Sequence, residues 1–272
     1  MLPHARRSAP KTKLGRRPLE VSSSVPAIVF ARATKRYRAL TALDSLELSI
    51  EAGTFFSLVG PNGAGKTTAI GLLTGLLHPT AGCARVFGFD MTKEPMAAKA
   101  RIGFVPDRPY LWPKWTPRET LRFVGTVFGG RGEALERRID EELSSFALFD
   151  VANLRNEVLS HGTRQKVALA QAFLHDPALY ILDEPMVGLD PIAQLQLIRR
   201  LTEKALLGAA VFLTTHQLSL AEQVSHRAAL LIGGRLAAQG PPSDMRGGGL
   251  QGSLSELFFR LTDGLASGAT AD

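Results

Sequence analysis

The sequence predicts an α/β fold: a buried, largely parallel sheet interrupted by a helical insertion. Three observations lead there. First, a short apolar run, "TFFSLVG", leads directly into the glycine-rich stretch "GPNGAGKTT" and then into the helix-periodic "AIGLLTGLL", closed by His78-Pro79. Second, another short apolar run, "ALYIL", ends in the pair Asp183-Glu184. Runs that are wholly apolar suit strands covered on both faces. Third, 117 positions separate Lys66 from Asp183, too many for one strand-helix-strand crossover. Much of that interval, "PRETLRFVGTVFGG" and "RGEALERRIDEELSSFALFD", carries helix spacing and few strand signals.

The remaining elements follow in order. The globular part begins near residue 26, with "AIVFARATKRY" and "LDSLELSIEAG" read as two strands, the second alternating apolar and polar. A chain of 272 residues with 45% apolar content can bury a large core. No apolar run approaches the roughly 18 residues of a membrane helix. The first residues carry charge without an apolar stretch, so no signal peptide is expected. The single cysteine, Cys83, allows no internal disulfide and reads as a small buried filler. The net charge is +7, and Arg6, Arg7, Lys11, Lys13, Arg16 and Arg17 all precede the first acidic residue, Glu20. The basicity therefore belongs to a solvated, disordered tail over residues 1–25, and no specific nucleic acid is expected as partner. At the other end "LSELFFRL" is amphipathic and expected to fold back on the domain, and "DGLASGATAD" reads as disordered.

The glycine stretch fills the pattern G-x-x-x-x-G-K-[ST] with Gly60, Pro61, Asn62, Gly63, Ala64, Gly65, Lys66 and Thr67. Glycines let successive backbone N–H groups curl around a phosphate without Cβ clashes. Lys66 would reach the β- and γ-phosphates, the Thr67 hydroxyl would bind Mg²⁺, and Thr68 would touch the α-phosphate. Asp183 sits at the carboxyl end of its strand, where open α/β sheets place ligands, and would hold Mg²⁺ through water. Glu184 is the natural general base for a water attacking the γ-phosphate. A second phosphate-seeking feature lies between these motifs. In "LSHGTRQKV", Ser160, Gly162 and Thr163 form a cap-rich helix start, and Arg164 and Lys166 add positive charge to its first turn.

Taken together, these residues resemble the ATP-binding subunit of an ABC transporter, from about residue 27 to residue 240. "GPNGAGKTT" resembles that family's Walker A loop, "LYILDE" its Walker B strand and "LSHGTRQKV" its signature motif. "VGLD", ending at Asp190, resembles the D-loop, and "TTH" places the switch histidine at His216. Tyr37 stands where the family has an aromatic under adenine. The resemblance implies a P-loop NTPase core with an N-terminal antiparallel β layer. It implies a domain over residues 26–242, with a helical subdomain at about 107–175, and a C-terminal extension over 243–272. It also implies ATP and Mg²⁺ as cofactors and a head-to-tail homodimer, or a heterodimer with a similar cassette. The Ser160 hydroxyl and the Gly162 N–H of one copy would cover the γ-phosphate held by the other. The engine would drive a separate integral-membrane permease from the cytoplasmic face of the membrane, in the manner of exporter-type cassettes.

Several positions depart from the family pattern. His161 replaces a glycine and Thr163 a glutamine, and His161 is read as a tolerated loop side chain rather than a third phosphate contact. Asp107 stands where a glutamine touching Mg²⁺ and the attacking water is usual. A carboxylate can still ligate Mg²⁺, and it adds negative charge. Met186 and Val187 have no functional reading. Trp112 and Trp115 are expected to line a partner groove or pack the subdomain rather than stack on nucleotide. His4, His78, His175 and His226 lack metal spacing and read as surface or capping residues. Two rival readings remain: a soluble ABC ATPase acting on nucleic acid or ribosomes, and a non-hydrolysing regulatory cassette. The lack of a second cassette or long coiled coil opposes the first, and Glu184 with His216 opposes the second.

Overall fold

The computed structural model describes residues 25 to 245 and 253 to 268. The basic tail up to residue 24 and residues 269 to 272 lie outside the described residues. Strands β1 (Ile28–Tyr37) and β2 (Leu40–Ile50) pair antiparallel, turning at Arg38 and Ala39. β3 (Phe55–Val59) leads through the glycine loop to α1 (Lys66–Leu73). β4 (Ala81–Val86) and β5 (Phe89–Asp90) then complete a four-stranded antiparallel sheet in the order β2-β1-β4-β5. α1 starts and stops earlier than its apolar spacing suggests. Gly75, at φ +65°, breaks the helix, and the Leu77 N–H turns back to Gly71 O.

α2 (Pro95–Lys99) and β6 (Ile102–Val105) precede three helices: α3 (Pro117–Val127), α4 (Gly132–Ser145) and α5 (His161–Leu174). β7 (Leu179–Asp183), α6 (Pro191–Leu206), β8 (Ala210–Thr215), α7 (Leu218–Val224), β9 (Arg227–Ile232) and β10 (Arg235–Gly240) follow. The second sheet runs β10-β9-β3-β8-β7-β6 and is parallel apart from the β9–β10 hairpin. Every residue of β3, β7 and β8 is buried. Alternation sends neighbours to opposite faces. Phe56 packs towards α1 and the antiparallel sheet, and Phe55 towards the side where α5 and α6 lie.

Local chemistry sets the inserted helices. Thr116 caps α3 by accepting from the Glu119 N–H, and Glu119 returns the bond to the Thr116 N–H, with Pro117 at the first helical position. α4 is tied to the core by Glu142, only 1% exposed, whose carboxylate meets Arg138 of its own helix at 3.0 Å and Arg200 of α6 at 2.9 Å. The Arg200 guanidinium also lies over the rings of Phe146 and Phe173. An ion pair this deep holds orientation more than it adds stability, because desolvation offsets most of its attraction.

α8 (Leu254–Gly268) packs on α7 through Leu254, Leu257, Phe258 and Leu261, and its first N–H donates to Glu222 Oε1 at 2.6 Å. This fits the fold-back expected of "LSELFFRL". The helix continues through residues 263 to 268, which the sequence reading assigns to a disordered end. The apolar spacing Leu254, Leu257, Leu261, Leu265 continues at helical intervals into that stretch. No helix among the described residues is long and apolar enough to cross a membrane.

His175 is more enclosed than a surface histidine. It ends α5, lies flat on Phe128 with ring centroids 3.6 Å apart, and places Nε2 3.1 Å from Ile102 O. Burial lowers its pKa from an ordinary value of 6.5 to about 4, against the pull of Ile102 O and Asp176. The unfolded chain therefore takes up this proton first. Stability from His175 is complete above pH 6.5 and is lost as pH falls towards 4, by roughly 3 kcal/mol in all. His175→Phe keeps a stacking ring and is expected to flatten that loss. Urea midpoints at pH 7 and pH 5 measure it, and an equal drop in both proteins rejects the assignment.

Candidate active site

The carboxyl ends of β3, β6, β7 and β8 reach the same edge of the parallel sheet, so residues far apart in sequence arrive side by side. Together with the end of β1 they enclose a cleft of about 520 Å³. Tyr37, Asn62, Gly63, Ala64, Gly65, Lys66, Thr67, Thr68, Asp107, Asp183 and Glu184 line it, joined by Leu40, Thr41, Ala42 and Gly233.

The glycine loop ends in Gly65, whose φ of +108° no side chain tolerates well and whose added Cβ would lie 2.4 Å from Ala42 O. α1 begins at once, and the first N–H groups of a helix lack intrahelical acceptors, which makes an anion seat. Lys66 is buried, and its Nζ donates to Gly60 O at 2.7 Å and Pro61 O at 3.1 Å. Burial lowers the Lys66 pKa, and the charges of Glu184 and Asp183 oppose that shift.

Asp183 is 4% exposed and accepts from Thr67 Oγ1 at 3.3 Å and from Thr214 Oγ1. Burial raises its pKa, the Thr214 hydrogen bond opposes this, and the Asp107 and Glu184 charges add to it. Asp183 and Glu184 thus act on Lys66, and Asp107 lines the same cleft. A hydroxyl and carboxylates form an oxygen-only donor set that suits Mg²⁺. Among the described residues no cluster of three or more His, Cys, Asp or Glu forms a cage of its own.

Glu184 adopts φ +46°, a left-handed conformation unusual for a side-chain-bearing residue. It is held there by its N–H donating to Thr214 O at 3.1 Å. Its Oε1 lies 3.0 Å from Nδ1 of His216, which follows β8 and is exposed. Lys66, Thr67, Asp183, Glu184 and His216 therefore form one connected constellation. Asp107, two residues beyond β6, is half exposed and completes the wall. Tyr37 is 41% exposed at the rim, with Lys35 Nζ 5.2 Å from its ring centroid.

Six predicted residues do not line the cleft: Gly60, Pro61 and His216 border it through their bonds to Lys66 and Glu184, and Ser160, Gly162 and Asp190 stand apart at helix starts. Ser160 caps α5, accepting from the Thr163 N–H, and Gly162 lies in the first turn of that helix. Asp190 caps α6 through the Ala193 N–H at 2.8 Å and pairs with Lys166 Nζ at 3.1 Å. The Ala193 hydrogen bond and then Lys166 lower the Asp190 pKa. Lys166 is thus engaged within the chain rather than held open for an anion. Trp112 and Trp115 also lie away from the cleft, packed on one another and edge-on to Phe123. Sequence reading missed Thr214. Its one signal is a hydroxyl pair closing an otherwise apolar strand, "AVFLTT".

Known proteins are similar to this chain in sequence and fold. The ABC transporter family model matches residues 43 to 187. A Nod factor export ATP-binding protein I from Neorhizobium galegae is 39% identical over 87% of this chain and 69% of its own length. A solved ATP-binding subunit of an ABC transporter superposes with a TM-score of 0.82 at 33% identity, covering 87% of this chain and 99% of that one. The cassette MJ0796, solved as a dimer in a post-hydrolysis state with ADP and Pi, gives 0.73 at 25% identity, covering 79% and 98%. The chain therefore belongs to the ABC transporter family, as one of its ATP-binding, ATP-hydrolysing subunits.

Proposed function

We propose that two copies of this chain close head to tail on ATP and that the cycle drives a separate membrane-spanning permease from the cytoplasmic face, in the direction of export. One observation carries the dimer. The cleft holds the loop, the lysine and the carboxylates, yet the first turn of α5 lies outside it. A phosphate-seeking helix start that cannot serve its own cleft is suited to serve a second copy's. Two identical half-sites in twofold arrangement then give two complete ones. The export direction is supported by the named function of the Nod factor relative.

In this reading adenine lies against Tyr37 and the phosphates fill the loop from Gly60 to Thr68. Lys66 leaves the carbonyls of Gly60 and Pro61 for the β- and γ-phosphates. Thr67, Asp183 and Asp107 would hold Mg²⁺, which neutralises phosphate charge when bound. Thr214 orients Asp183. Glu184 accepts a proton from the water attacking the γ-phosphorus, and His216 holds the Glu184 carboxylate in place. The bond to the β,γ-bridging oxygen breaks and ADP leaves with phosphate. Size-exclusion chromatography with and without ATP tests the dimer. Co-purification with a polytopic membrane protein tests the permease. A monomer under all nucleotide conditions rejects the head-to-tail reading.

Asp107 adds negative charge beside the γ-phosphate site, so Asp107→Gln is expected to preserve or raise ATPase activity. Asp107→Ala removes an oxygen ligand and is expected to lower it roughly tenfold. Steady-state hydrolysis measures both. Loss in Asp107→Gln with full activity in Asp107→Ala rejects the assignment.

A further inference from the structure

The segment from Pro185 to Asp190 joins Glu184 to α6, and its backbone is held from both sides. The buried Gln165 of α5 donates from Nε2 to Pro185 O at 3.3 Å. Gln194 of α6 donates to Met186 O at 3.2 Å and Leu189 O at 3.1 Å. Lys166 holds Asp190. The tightest approach is at Gly188, at φ +80°. A Cβ on Gly162 would lie 2.3 Å from Gly188 O. A Cβ on Gly188 would lie 2.5 Å from Cδ2 and 3.1 Å from Nε2 of His161. The His161 ring therefore occupies the space over Gly188, although the residue is exposed to solvent on its other side.

We infer that His161 is a positioning residue for ATP hydrolysis: its ring, seated on Gly188, locks the segment 185–190 to the first turn of α5 and so fixes Glu184. The inference rests on the reading of Glu184 as the base. The segment is short and tightly turned, with the Val187 N–H donating to Glu184 O and the Leu189 N–H to Met186 O. A shift at Gly188 has little slack to absorb it before Glu184. Glu184 is itself held in a strained backbone conformation by Thr214 and His216, so its placement depends on its surroundings. A glycine at position 161 would leave Gly188 facing Gly162, with Gln165 and Lys166 as the remaining holds of α5 on the ends of the segment. The histidine at 161 is thus a working part of this chain rather than a tolerated loop side chain.

The test uses the full-length chain, with kcat and KM for ATP measured for His161→Gly, His161→Phe and wild type. Misplacing a reacting group by a fraction of an ångström lowers turnover more than ground-state binding. His161→Gly is expected to lower kcat about fivefold with KM within about twofold. His161→Phe keeps a ring over Gly188 and is expected to restore kcat with an unchanged pH profile. Gly188→Ala, which pushes a methyl into the ring, is expected to lower kcat more in wild type than in the His161→Gly background. An unchanged His161→Gly overturns the inference. So does a His161→Phe that is as slow as His161→Gly with a raised KM, since His161 would then donate to a phosphate directly. Glu184→Gln, run alongside, separates the two claims: if it hydrolyses ATP at the wild-type rate, the reading of the base fails instead.

Discussion

Glu184→Gln is expected to reduce ATP hydrolysis by at least about a hundredfold while leaving ATP binding intact. Glutamine has the shape of glutamate, so the Glu184 N–H bond to Thr214 O and the approach of His216 Nδ1 to the side-chain oxygen need not change. What is lost is the ability to accept a proton from the attacking water. Binding should tighten, because Glu184 is one of three carboxylates facing the phosphate site and its charge raises the cost of seating an anion there. With binding kept and hydrolysis stopped, the ATP-closed dimer should accumulate. Size-exclusion chromatography or light scattering with ATP detects it, and a phosphate-release assay measures the rate. A variant that remains strictly monomeric and fully active would remove Glu184 from the role of base.

Lys66→Ala is expected to weaken ATP binding at least tenfold and to abolish turnover. Nζ already sits at the mouth of the glycine loop, donating to Gly60 O and Pro61 O, so reaching a phosphate requires only a change of partner. Charge-assisted hydrogen bonds of this kind contribute about 1.5–3 kcal/mol each. The loss is compounded electrostatically. Lys66 is the cation whose charge couples to Asp183 and Glu184, and without it those carboxylates face an incoming triphosphate with no compensation. Burial lowers the Lys66 pKa, so the ammonium is costly to keep folded without ligand. The melting temperature should therefore fall little. Calorimetric titration with ATP is the direct measurement, and an unchanged affinity would reject the glycine loop as the phosphate seat.

The two motifs at the heart of these predictions were legible because they are local. A glycine loop between an apolar strand and a helix carries its backbone geometry in nine consecutive residues. The Asp183-Glu184 pair follows a run buried in full, so its place at a strand end is written beside it. By contrast, α8 was underestimated because "DGLASG" has weak helix formers, and the packing that supports the helix begins at Leu254. His175 read as a surface or capping residue because nothing beside it in sequence announces Phe128.

The sequence by itself determined a glycine loop between a strand and a helix, an acidic pair at the end of a buried strand and a separate cap-rich helix start. Each is a property of a few adjacent residues whose dihedral preferences and burial are set locally. Only the tertiary structure decided which of these share a space. The order β10-β9-β3-β8-β7-β6 sets β8 between β3 and β7, and that brings Thr214 to Asp183 and His216 to Glu184. It also left the start of α5 outside the cleft, committed Lys166 to Asp190, and laid the His161 ring on Gly188. Such contacts join residues 24 to 32 positions apart, and no local pattern specifies them. They follow from the packing of long crossovers on a buried sheet, where one arrangement fills the core.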